Sequence, residues 1–135
     1  MAHVISFQTS LFDPRKERPN PVNPIAGESV LVWIRENVLT PPYESTDPDA
    51  EDWGWYIDVS ISGSSYLVGA CALVEEDSEP QGDIEWLVQV EKKRSLLEKL
   101  LGRNKMAVDD PLVTKLVSAL KGAGTFTNVQ VETNA

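Results

Sequence analysis

The sequence is poor in the residues that catalytic and metal chemistry most often uses. Its 135 residues include one cysteine, Cys71, and one histidine, His3. A single cysteine excludes an internal disulfide and makes a reducing, cytoplasmic setting the expectation. One Cys and one His cannot supply the usual Cys/His zinc set within one chain. A Cys–His nucleophile pair would have to join Cys71, in a strand, to His3 at an end expected to fray. Cys71 is therefore read as a small, half-buried hydrophobe. Walker A, GxGxxG, GxSxG and HExxH patterns are all missing. No uninterrupted apolar run exceeds the five residues of Val30–Ile34, far too short to cross a bilayer. The first ten residues have neither the basic start nor the apolar core of a signal peptide. The expectation is no catalytic residue, no cofactor, no metal and no membrane contact, with a non-enzyme favoured.

Lysine and arginine are missing altogether between Glu36 and Glu91, a span that carries fourteen acidic residues. From Lys92 to Lys121 the balance reverses, with eight basic residues and three acidic ones. The whole chain carries a formal charge of −9, which argues against general nucleic-acid binding because phosphate contacts need a basic footprint. The cluster Lys92, Lys93, Arg94, Lys99, Arg103 and Lys105 has no interleaved aromatics, so it is no base-stacking platform. It reads as a solvated stretch that balances the acidic half, with anion binding as the alternative.

What the sequence does have is a strong hairpin signal at 53–76. Trp53, Trp55, Ile57, Val59 and Ile61 alternate with Gly54, Tyr56, Asp58 and Ser60, the period of a half-buried strand. A second run places Tyr66, Val68, Ala70, Ala72 and Val74 on one side. A type II′ turn at Gly63-Ser64 would set Ile61 opposite Tyr66, Val59 opposite Val68, Ile57 opposite Ala70, Trp55 opposite Ala72 and Tyr56 opposite Cys71. Large residues facing small ones leave a saddle for a helix, and both Trp53 and Trp55 are expected in the core. The reverse face carries Tyr56, Asp58, Leu67, Cys71 and Leu73, too apolar for a plain wet face.

Around the hairpin, His3–Gln8 reads as a first strand. Pro14, Pro19, Pro21 and Pro24 make 11–27 an extended wrap with solvated charges. Residues 28–39 read as a helix, with a strand as the competing reading, and 40–52 as an acidic loop. A further acidic turn at 77–83 leads into a strand at 84–90. Ser95-Leu96-Leu97-Glu98 is a capping box that opens a short helix ending at Gly102. Asp110-Pro111 opens another, stopped by Gly122 and Gly124. Residues 126–132 close the chain as a strand. The expected architecture is a single α+β domain over 1–135, ordered β-α-β-β-β-α-α-β. It is a two-layer sandwich in which a mostly antiparallel sheet of 4–5 strands carries its helices on one face.

Two functions compete. The first is a small acidic, non-enzymatic interaction protein that receives a basic protein, as an immunity-type inhibitor receives a basic toxin. Its contact residues would be Asp47, Asp49, Glu51, Asp52, Tyr56, Asp58 and Leu73. The second is a small-ligand or enzymatic domain with a pocket near Tyr56, Asp58 and Cys71. A homodimer through the outer sheet face or an edge strand is compatible with either. Asp47, Asp49, Glu51 and Asp58 fall at EF-hand-like spacings. However, Asp52 stands where the calcium loop needs Gly, and Asp58 where it needs a bidentate Glu, so no calcium site is expected.

Overall fold

The computed structural model describes residues 2–74 and 83–134. The acidic turn expected at 77–83 lies, apart from Asp83, outside them. Among these residues the fold is α+β, built on an antiparallel sheet of seven strands. In chain order these are β1 (Ala2–Thr9), β2 (Glu44–Ser45), β3 (Asp49–Glu51), β4 (Gly54–Ile61), β5 (Ser64–Leu73), β6 (Ile84–Lys93) and β7 (Thr127–Asn134). The helices are α1 (Glu28–Asn37), α2 (Leu96–Leu101) and α3 (Pro111–Ala123), with one 3-10 turn at Pro14–Lys16. Spatially the sheet runs β2-β4-β5-β6-β1-β7, and β3 pairs with β4 beside β2.

The sheet is larger than the 4–5 strands expected because the acidic stretch 40–52 is not a plain loop. It contributes β2 and β3, which extend the sheet along β4: Glu44 faces Ser60, and Asp49 faces Tyr56. These strands are two and three residues long, too short to show an alternation.

The hairpin forms, but its turn lies one residue earlier than expected. Ser62 and Gly63 have φ of 48° and 80°, the positive pair that defines a type I′ turn and matches the twist of the flanking strands. The register is therefore Ile61 opposite Ser64, Val59 opposite Tyr66, Ile57 opposite Val68 and Trp55 opposite Ala70. Moving the turn by one residue shifts every pair by two, so each side chain keeps its face. Tyr56 then meets Gly69 rather than Cys71.

The inner face of the sheet carries the core: Ile5, Phe7, Trp55, Ile57, Val59, Tyr66, Val68, Trp86, Val88 and Val90 are buried. Val30, Leu31 and Ile34 of α1, and Leu112, Val113, Leu116 and Leu120 of α3, join the same cluster. α1 lies against β4 and β5. Its approach is fixed by the preceding segment, where the Ala26 carbonyl accepts from Ala72 N–H at 2.8 Å. The alanines Ala70 and Ala72 leave the room this requires.

Three sequence expectations change here. His3 is not frayed: it is fully buried in β1, with Nε2 2.8 Å from the Ala107 carbonyl and Nδ1 2.8 Å from Thr133 Oγ1. Glu17 is not a solvated charge of the wrap. Its Oε1 accepts from the Gly27 and Glu28 amides at 2.9 Å, and its Oε2 from the Ser29 amide at 3.2 Å and from the Ser29 hydroxyl. One carboxylate thus satisfies three of the N–H groups that the start of α1 leaves open. Trp53, finally, does not join Trp55 in the core, for the reason given below. Among the described residues, no helix is long and apolar enough to cross a membrane.

Candidate interaction surface

The outer face of β4–β6 carries the side chains that the inner face excludes. Antiparallel pairing puts Asp49, Tyr56, Gly69 and Gln89 in one row across the strands, Asp58, Leu67 and Glu91 in the next, and Leu73 beside Glu85. Cys71 pairs with Leu87.

Trp53 also belongs to this face. β4 begins at Gly54, whose φ of 149° breaks the alternation that would have aligned Trp53 with Trp55. The indole instead lies across β5 at Gly69: a Cβ added there would stand 2.3 Å from the Trp53 ring. A glycine inside a strand marks such close approaches, and this is the signal that could have placed Trp53. The ring is 37% exposed, and Leu73 is 47% exposed on the same face.

The corner that carries the acids is held by the proline-rich wrap. Asn20 Oδ1 accepts from the Val22 and Asn23 amides, closing a local turn. Asn20 Nδ2 donates to the Glu51 and Gly54 carbonyls at 3.0 and 2.9 Å, and Asn23 Nδ2 donates to the Asp52 carbonyl at 2.7 Å. The carbonyls of Glu51, Asp52 and Gly54 are thus tied down while the Glu51 and Asp52 side chains stay outside.

The acids divide into two groups. Asp47 accepts from Arg35 Nη1 at 2.9 Å, and Asp58 forms an ion pair with Lys93, so both are partly neutralised within the chain. Asp49, Glu51 and Asp52 are exposed, and among the described residues none of them pairs with a lysine or arginine. Tyr56 reports their field. Asp49 first, then its partial burial, then Asp58 and Glu51 push its hydroxyl above the usual phenol range. An aromatic ring with a neutral hydroxyl therefore stands among three carboxylates.

Asp58 also lines an open cleft of about 390 Å³ with Glu44, Ser45, Ser60, Ser65 and Lys93, and neither Tyr56 nor Cys71 lines it. Burial pushes the Cys71 thiol up, away from the thiolate a nucleophile needs. Among the described residues, no three His, Cys, Asp or Glu side chains come together in a group that would hold a metal ion. No family model, no curated protein and no solved structure matches the chain.

Proposed function

We propose that the protein is a non-enzymatic binding protein whose outer sheet face, at the acidic corner, receives a basic protein in the manner of an immunity-type inhibitor. One observation carries the reading. Asp49 and Glu51 flank Tyr56 and, among the described residues, pair with no lysine or arginine, beside the half-exposed apolar surface of Trp53 and Leu73. Aromatic anchors inside a charged rim are what protein interfaces use, and a carboxylate cluster steers a cationic partner toward them. The reading takes the helices as one layer over the Trp55/Trp86 face, which leaves the opposite face for the partner. It takes the single thiol as a mark of a reducing, cytoplasmic setting. Asp52 extends the acidic rim, while Asp47 and Asp58 contribute field already shared with Arg35 and Lys93.

The test is capture from source cells on the immobilised full chain at ~0.1 M salt, followed by a salt gradient. Two variants of equal net charge are compared, Asp49→Lys/Glu51→Lys and Glu36→Lys/Glu132→Lys. The reading requires a basic protein that salt releases, that the first variant loses and that the second retains. Identical retention by both variants refutes it.

A further inference from the structure

The other end of the sheet exposes an apolar surface of the opposite charge. α2 buries none of its residues. Leu96, Leu97, Leu100 and Leu101 are 76%, 64%, 75% and 53% exposed. At 100° per residue these four cover one side of the helix, with Glu98 and Lys99 on the other. The helix is firmly built despite its isolation. Ser95 Oγ accepts from the Glu98 amide at 3.1 Å, Glu98 Oε1 accepts from the Ser95 amide at 2.9 Å, and Gly102 closes the helix in the left-handed conformation. Lys92, Lys93, Arg94, Arg103 and Lys105 flank it in sequence. A leucine face this exposed, next to a basic stretch of the chain, is a surface made to be covered.

Its complement lies on the same molecule, but out of reach within one copy. The acidic corner and Leu73 are at one end of β4 and β5. Lys93, which leads to α2, pairs with Ser65 at the other end. Eight residues of strand at ~3.4 Å per residue separate Ser65 from Leu73, roughly 27 Å, against a screening length of about 10 Å at 0.1 M salt. Among the described residues, the Asp58–Lys93 ion pair bridges part of that gap. Two copies can bring these ends together, the leucines and their neighbouring basic residues against Trp53, Tyr56 and Leu73 with an acidic rim.

We infer that the acidic face also receives a second copy of this chain, acidic as a whole but locally basic around α2, which docks its α2 leucine face there, head to tail. The inference rests on the binding role proposed above for the acidic face. Such a contact uses two different patches, so every assembly keeps one free end of each kind and chains of copies grow with concentration.

The test uses light scattering on the full-length protein and two variants whose changes lie on exposed side chains. Asp49→Lys/Glu51→Lys removes the acidic end, and Leu96→Ser/Leu100→Ser removes the leucine end. The wild type is expected to gain mass with concentration and to lose it as salt rises from ~0.1 M to ~1 M. Each variant alone is expected to stay monomeric. Their equimolar mixture is expected to give a species of twice the monomer mass and nothing larger, because one intact end of each kind remains. A monomeric wild type at all concentrations overturns the inference, as does a mixture that does not associate. So does a wild type that stays monomeric yet binds phosphatidylserine vesicles through the leucines, since the helix then serves a lipid surface. A monomeric wild type that still captures a foreign basic protein through Asp49 and Glu51 discards the self-docking and leaves the binding role standing. Loss of both results removes the binding role as well.

Discussion

Asp110 should be the most costly single polar residue to remove. It is 1% exposed, and it does two things at once. Its Oδ1 accepts from the Leu112 and Val113 amides at 2.9 and 3.4 Å and so caps α3, and its Oδ2 accepts from the Tyr66 hydroxyl at 2.8 Å. Truncation to alanine loses the cap, worth about 1 kcal/mol. It also leaves a buried phenol without an acceptor, which costs about 1–3 kcal/mol. The expected loss for Asp110→Ala is therefore about 2–4 kcal/mol, a large share of the ~5–15 kcal/mol that holds a domain together. Tyr66→Phe removes the donor but leaves the cap, and should cost about 1–2 kcal/mol. The double variant should lose about 1–2 kcal/mol less than the sum of the singles, because the unpaired hydroxyl no longer exists. Urea unfolding of the four proteins measures all three quantities. A loss under 0.5 kcal/mol for Asp110→Ala, or strict additivity, would refute the assignment of Asp110 as the link between β5 and α3.

Other consequences follow from the same contacts. Glu17→Ala should destabilise the protein by about 1–2 kcal/mol in urea, because the α1 amides lose their carboxylate, and Glu17→Gln by about half as much; equal, negligible effects would contradict that capping. Burial and then the Asp110 hydrogen bond hold the Tyr66 hydroxyl above the phenol range. The folded protein thus keeps this proton where the unfolded chain releases it, so the contribution is complete below about pH 10 and is lost above it. Stability should fall more steeply from pH 9 to about pH 11 in the wild type than in Tyr66→Phe, and parallel curves would sink the idea. Gly69→Val should drive the Trp53 indole off β5, which acrylamide quenching would show as one more accessible tryptophan; unchanged quenching would mean that the ring rests elsewhere.

Much of the fold was legible in the sequence because its signals are local. The hairpin alternation, the Ser95–Glu98 capping box and the Asp110-Pro111 helix start each lie within a few residues, and the two helices begin where these signals place them. The turn was placed one residue late because Gly63-Ser64 and Ser62-Gly63 both preserve the faces, so alternation cannot tell them apart. What was missed depends on distance along the chain. Glu17 caps a helix that starts eleven residues later. His3 meets Ala107 and Thr133 at separations of 104 and 130 residues. The acidic stretch gave Asp49, Glu51, Asp52 and Tyr56 as neighbours. It did not reveal that Arg35 and Lys93 would claim Asp47 and Asp58, since neither cation is close in sequence. Trp53 was misplaced because period-two counting cannot see the backbone turn at Gly54.

The outer sheet face around Asp49, Glu51 and Tyr56 is proposed to bind a basic protein. The most direct test is amide shift mapping of the isotope-labelled protein as the captured basic partner, or a second, unlabelled copy, is added. The changes should concentrate at 49–58 and 67–73, joined by 95–102 when a second copy is added; those at 49–58 should shrink as salt rises and vanish in Asp49→Lys/Glu51→Lys. Shifts confined to α1 and α3, with the outer faces of β4 and β5 silent, would contradict it.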